Sequence, residues 1–155
     1  MNGSPFYLVS CVGKKRAAPT PARDLYISEW FTRARKLVEA TGSNWFILSA
    51  RFGLVSPEQI IAPYDATLNH MPIAARRAWA ADVLKQLDRA LPAGGRCVVL
   101  AGSRYREFLL DFLVGRYDVD VPMRGLAIGQ QLRWLGQAER SIREGGELPG
   151  SPPGP

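Results

Sequence analysis

The stretch WFILSARFGLVSPEQIIAPYDATL, Trp45 to Leu68, starts with a four-residue apolar run that reaches Ser49 and then changes character. The run Trp45–Leu48 is too short for a helix and rich in residues that suit a pleated sheet, so it predicts a buried strand. The strand pattern stops there. Ala50-Arg51-Phe52-Gly53 gives way to a second apolar piece, and that piece ends in Pro63-Tyr64-Asp65. A core strand thus leads into a long segment carrying an arginine, two aromatics, a glycine and a carboxylate.

The same pattern recurs elsewhere in the chain. Phe6–Ser10 reads as a short buried strand followed by the Gly/Lys/Pro loop CVGKKRAAPTPAR. Arg96–Ala101 runs directly into Gly102-Ser103, and Asp118–Val121 turns through Pro122 and Gly125. Helical spacing fills the intervals. Thr20 and Pro21 predict a cap and first turn for a helix bearing Tyr26, Trp30, Ala34, Leu37 and Val38. A second helix begins near Pro72 with Ala80, Val83, Leu84, Leu87 and Leu91 as its buried stripe, and Pro92-Ala93-Gly94-Gly95 breaks it. A third, from Gly102-Ser103, carries Tyr105, Phe108, Leu109, Phe112 and Leu113; a last one carries Ile128, Leu132, Leu135 and Ile142. Strand alternating with helix predicts an α/β fold: a single three-layer domain around a mostly parallel central sheet of about four strands. The domain is expected to span residues 1–144, and the Gly/Pro-rich tail 145–155 is expected to be disordered.

The chain has 155 residues, enough for one domain with a sizeable core. Its net charge of +6 and pI near 9.7 favour a polyanionic partner, since lysine and arginine gain by displacing counterions from phosphates. Cys11 and Cys97 border apolar runs and read as reduced core thiols, although Lys14 and Lys15 beside Cys11 raise the alternative of an activated thiolate. The single histidine, His70, and the lack of paired cysteines speak against a zinc site; no metal or other cofactor is expected. No apolar run approaches the roughly 20 residues of a membrane span, and no basic region precedes the first apolar segment. The expected compartment is the cytoplasm, with no membrane partner; oligomeric state is left open.

In a parallel sheet, right-handed crossovers bring the segments after each strand to one edge, where ligands bind. Those segments here are Ser10–Arg16, Ser49–Leu68, Ala101–Arg106 and Pro122–Gln131. Lys14, Lys15, Arg51, Gly102, Ser103 and Arg106 are the expected phosphate-binding residues, joined by Arg104 and Arg124, because cations and helix N–H groups suit phosphate. Ser49, Phe52, Tyr64, Gln130 and Gln131 suit a nucleobase, through stacking and edge hydrogen bonds. Asp65, aimed by the preceding proline, and Asp24 are the candidate catalytic carboxylates, and helix-dipole or turn-capping roles are the alternatives. Gly13-Lys14 lacks the spacing of a nucleotide-triphosphate loop, and Gly125–Gly129 lacks the dinucleotide fingerprint.

The segments SCVGKK, ARDLYISEWFTRAR, LSARFGLVSPEQIIAPYDATL, LAGSRYR and GLAIGQQLRWL together resemble a bacterial and phage domain-of-unknown-function family, over nearly the whole chain to Leu135. The central motif, small-x-aromatic-Gly-Leu followed by Pro and then Pro-Tyr, is also similar to the peroxide-stress protein YaaA family. A comparable segment occurs in the uracil-DNA-glycosylase-like domain of archaeal archaeosine-forming enzymes. The resemblance implies a glycosylase-like α/β fold and work on nucleic acid or modified nucleobases. Two departures stand beside it. Asp24-Leu25-Tyr26 replaces the Asp-Pro-Tyr of the glycosylases, and no histidine occurs after His70, so their electrophile is missing.

These residues raise two expectations for function. One is an enzyme acting on the N-glycosidic bond of DNA or a nucleotide, with Asp65 or Asp24 stabilising the sugar cation or activating water. The other is a non-catalytic nucleic-acid- or nucleotide-binding module using the same edge. DNA is the expected polymer, with RNA and free nucleotide as alternatives; an interaction protein is a third, simpler reading.

Overall fold

The computed structural model describes residues 5–11, 13–91 and 94–149. Its centre is a five-stranded sheet in the order β4-β3-β1-β6-β7, formed by Gly53–Val55 (β4), Trp45–Ser49 (β3), Phe6–Ser10 (β1), Arg96–Leu100 (β6) and Asp118–Asp120 (β7). The pairs β1–β3, β1–β6 and β6–β7 are parallel, and β4 folds back antiparallel on β3. The fifth strand was not legible as one because it is a three-residue return after a turn. A separate two-stranded ribbon pairs Thr20–Pro21 (β2) with Ile60–Ile61 (β5).

The inner parallel strands β1, β3 and β6 are buried along nearly their whole length because helices cover both sides. Along β1, Tyr7 and Val9 join one core cluster while Phe6 and Leu8 join the other. Along β6, Val98 and Leu100 alternate with Cys97 and Val99 in the same way. This is the period-two alternation of a pleated strand used on both faces. The first cluster packs against Ala22–Leu25 (α1), Glu29–Thr41 (α2) and Ile128–Arg143 (α6). The second packs against Ile73–Ala90 (α3), Ser103–Arg106 (α4) and Leu110–Arg116 (α5). The result is a three-layer α/β domain. Leu8, Val9, Ile47, Leu48 and Leu100 are fully buried, each contributing about 1.5–3 kcal/mol of transfer free energy.

Two expected helices are interrupted. Thr20 and Pro21 do not start a helix but pair with Ile61 and Ile60. The chain makes the single turn α1, extends through Tyr26, and restarts at α2, where Ser28 Oγ accepts from Phe31 N at 3.3 Å. Ser28 is the true cap, and Tyr26 is therefore not part of the helical stripe. Its extended backbone is held by Ile27 N donating to Lys14 O (2.9 Å) and Arg16 N donating to Leu25 O (2.9 Å). The helix after Gly102 is likewise split into α4 and α5, where Leu109 N bonds Arg106 O across a tighter turn. Gly42, at φ 71°, ends α2 in the left-handed conformation that glycine adopts freely.

Arg76 ties α3 to the segment between α4 and α5 on the same side of the sheet. It is nearly buried; its Nε donates to Glu107 Oε1 at 2.6 Å and its Nη1 to Met71 O at 2.6 Å. Of the tail, Leu148 packs against the first core cluster and Ser141 Oγ donates to Glu147 O at 2.6 Å. Residues 150–155 of the expected disordered tail, and Pro92 and Ala93 of the expected break, lie outside the described residues.

Candidate functional site

Because β1 sits between β3 and β6, the connection from β1 leaves toward β3 while the next returns past β1 to β6. The crevice at the carboxyl ends of β1 and β6 is the topological switch point. Gly102 N donates to Ser10 Oγ across it at 3.4 Å. Arg106 lies beside it, half-buried, donating from Nη1 to Ala101 O at 2.7 Å. Burial, and then the like charge of Arg124, lower the Arg106 pKa from its ordinary value.

Next to the crevice lies a polar hub. Tyr64 Oη accepts from Ser49 Oγ at 2.9 Å, shares a hydrogen with Tyr26 Oη at 2.8 Å, and lies 3.7 Å from Cys11 Sγ. Ser49 Oγ also accepts from Phe52 N at 3.1 Å, and Ser49 O accepts from Trp79 Nε1 at 2.8 Å. Cys11 donates to Leu48 O at 3.1 Å. The hub explains Pro63-Tyr64: the loop after β4 folds back so that Tyr64 bonds to the ends of β1 and β3. Burial raises the pKa of Tyr64 and of Tyr26, so both stay phenolic.

Burial pushes the Cys11 thiol up to about 11, against the downward pull of bonds with Tyr26 and Tyr64 and the charge of Lys15. An activated thiolate is therefore not what the nearby lysines produce. Cys97 is pushed up to about 12 by burial alone. Above about pH 8.5 an unfolded thiol loses its proton while these native thiols keep theirs. Stability should thus be fully present below that pH and fall as pH rises toward the native values. Urea midpoints at pH 8 and pH 10 check this, and native protein should leave both thiols unlabelled by a thiol reagent until it unfolds.

Over the hub runs a row of cations and rings. Lys15 Nζ lies 4.5 Å from the Tyr64 ring centre and 5.7 Å from that of Tyr26. Tyr64 meets Phe52 edge-to-face at 5.6 Å, and Arg51 Cζ lies 5.5 Å from the Phe52 centre. These are cation–π and aromatic distances. Among the described residues Lys14, Lys15, Arg51, Arg106 and Arg124 make no ion pair. At the opposite edge, by contrast, a cleft of about 470 Å³ holds Arg96 and Arg116, and these are neutralised by Asp120 (3.0 Å) and Asp88 (2.5 Å).

The remaining expected residues divide. Gln131 is occupied on both sides, Oε1 accepting from Trp30 Nε1 (2.9 Å) and Nε2 donating to Leu126 O (2.8 Å). Gln130 is exposed, and its Oε1 caps α6 by accepting from Ala127 N at 2.9 Å. Gly102, Ser103, Lys14 and Arg51 are exposed. Asp24 is bound to Arg35 at 2.6 Å and lies 3.8 Å from Arg23. Asp65 is exposed and without an ion pair among the described residues. Lys14, Arg51, Asp65 and Gln130 thus do not bond to one another; the side chains that converge are those of Cys11, Lys15, Tyr26, Ser49, Phe52 and Tyr64.

A family model for a family of unknown function, DUF6884, matches residues 6–137. The chain belongs to that family. No curated protein matches it. The DUF6884 span begins with β1, ends within α6, and includes every segment of the hub and the row.

Sequence reasoning missed Tyr26, whose helical spacing from Trp30 concealed its place in the hub, and Gln86 on α3. Gln86 Oε1 accepts from Leu54 N (2.8 Å) and its Nε2 donates to Phe52 O (3.3 Å), fixing the turn that presents Arg51 and Phe52. Gly53 permits this: φ is 73°, and a Cβ there would collide with Gln86 Oε1. Gly53→Ala should displace Gln86, break both bonds and strain the backbone, lowering stability by about 2 kcal/mol. Thermal denaturation of that variant beside Gln86→Ala, which loses the bonds without the strain, measures the two contributions.

Proposed function

We propose that this domain binds a nucleotide or nucleic acid at the carboxyl edge of its sheet. The observation that carries the reading is the row Lys15–Tyr64–Phe52–Arg51, rings flanked by cations that have no acidic partner among the described residues. Aromatic faces suit bases, and unpaired cations suit phosphates. Arg106 and Arg124, near enough to repel, gain if an anion comes between them. The net charge of +6 and the resemblance to the YaaA family support the same reading. Fluorescence anisotropy with labelled oligonucleotides and nucleotides tests it. Lys15→Gln with Arg51→Gln should weaken binding about tenfold at low salt and reduce the salt slope by about two. Binding indifferent to both substitutions would exclude the row from the site.

A second reading, cleavage of an N-glycosidic bond, is favoured by one observation: Asp65 is exposed, unpaired among the described residues, and adjacent to Tyr64. Asp24 is already engaged with Arg35, so Asp65 is the carboxylate assigned the anionic role in this reading. Mass analysis of oligonucleotides carrying normal and modified bases would detect a released base. Asp65→Asn should then abolish release while leaving binding in place; intact substrate across the panel leaves the binding reading alone.

A further inference from the structure

Beyond the row, on the outer flank of the sheet, the β3–β4 turn and α3 enclose a cleft of about 300 Å³. Arg51, Phe52 and Gly53 line one side, and Trp79, Asp82, Lys85, Gln86 and Arg89 of α3 line the other. The α3 residues recur every three or four positions, so they share one face of the helix. Lys85 and Arg89 are exposed, and neither they nor Arg51 form an ion pair among the described residues; Asp82 is the single acid of the lining. Gln86 has both ends of its amide bonded to the turn, so the two sides of the cleft are tied to each other.

Arg51 and Phe52 belong both to this cleft and to the row. The row that starts at Lys15 and the cleft that holds Lys85 and Arg89 therefore meet at Arg51 and Phe52. We infer that the ligand is a single-stranded nucleic acid whose chain continues past the row into the α3 cleft, with Lys85 and Arg89 holding its phosphates. Neighbouring rings flanked by cations, with further positive charge beside them to track the backbone, are the features that suit an unpaired strand. The inference rests on the nucleotide-binding reading above and names its substrate class.

The test titrates wild type and the Lys85→Gln/Arg89→Gln double variant, each as the whole chain, with four probes. These are a nucleoside monophosphate, a short single-stranded DNA, the RNA of the same sequence, and the DNA duplex. Both substitutions are on an exposed helical face, and glutamine keeps helix propensity. The variant should bind a single strand about tenfold more weakly, with a salt slope smaller by about two, and bind the monophosphate as wild type does. The DNA and RNA arms distinguish the polymer. Unchanged single-strand affinity in the variant, or tighter wild-type binding to the duplex, overturns the inference and leaves the row's role intact. Failure of wild type to bind any probe overturns both.

Discussion

Tyr64→Phe should lower the free energy of unfolding by about 3 kcal/mol, although it removes a single oxygen. That oxygen accepts the hydrogen of Ser49 Oγ, shares one with Tyr26 Oη, and lies beside Cys11 Sγ. Ser49 is fully buried and Tyr26 nearly so, which leaves no bulk water to replace the lost partner. Two buried polar groups left unsatisfied, at roughly 1–3 kcal/mol each, outweigh the small gain from a less polar ring. The partner substitution Tyr26→Phe should cost less, because Tyr64 keeps its bond to Ser49. In a double-mutant cycle the two should be strongly non-additive, since they remove the same bond. Urea denaturation of the four proteins measures this, and simple additivity would mean that the hub does not act as a unit.

An effect of similar size is expected at Glu107. Glu107→Leu leaves the guanidinium of Arg76, whose side chain is only 10% exposed, without its counter-charge. Breaking a buried ion pair from one side costs about 3–5 kcal/mol; the 30% exposure of Glu107 places this case near the lower end. Adding Arg76→Met should restore much of the loss, because the buried charge goes with its partner. A double variant no more stable than Glu107→Leu alone would assign the cost to lost packing instead. Arg76 also donates to Met71 O, so recovery should be incomplete.

The sheet was legible because burial on both faces produces short unbroken apolar runs, and three such runs mark β1, β3 and β6, while β7 showed as the alternation Asp118-Val119-Asp120-Val121. β4 was not, since its three residues gain their strand character from pairing with β3. Helix starts were readable where chemistry was local, as near Pro72, and misread where it was not. Thr20-Pro21 has the composition of a helix start, but pairing with Ile60–Ile61 decides its conformation. At the site, the sequence placed Arg51, Phe52, Tyr64 and Lys15 at one edge, and the structure brings them into one row. It could not show that Gln131 is consumed by Trp30 and Leu126, or that Asp24 is bound by Arg35. In the two side-chain pairs Asp24–Arg35 and Gln131–Trp30, the partners lie 11 and 101 positions apart along the chain, beyond any local pattern. The α3 cleft escaped for a different reason: Lys85 and Arg89 lie on the exposed face of an amphipathic helix, outside the segments that follow the strands.

The claim on which the rest depends is that a nucleic acid lies on the edge built by Lys15, Tyr64, Phe52 and Arg51. Photo-crosslinking with a thiothymidine-bearing single strand at low salt, with peptide mass spectrometry of the products, reads that contact directly. Adducts are expected on the peptides holding Phe52 and Tyr64, and should be lost when Lys15 and Arg51 are neutralised. Adducts confined to the opposite cleft around Arg96 and Tyr117, or none at all, would contradict the claim.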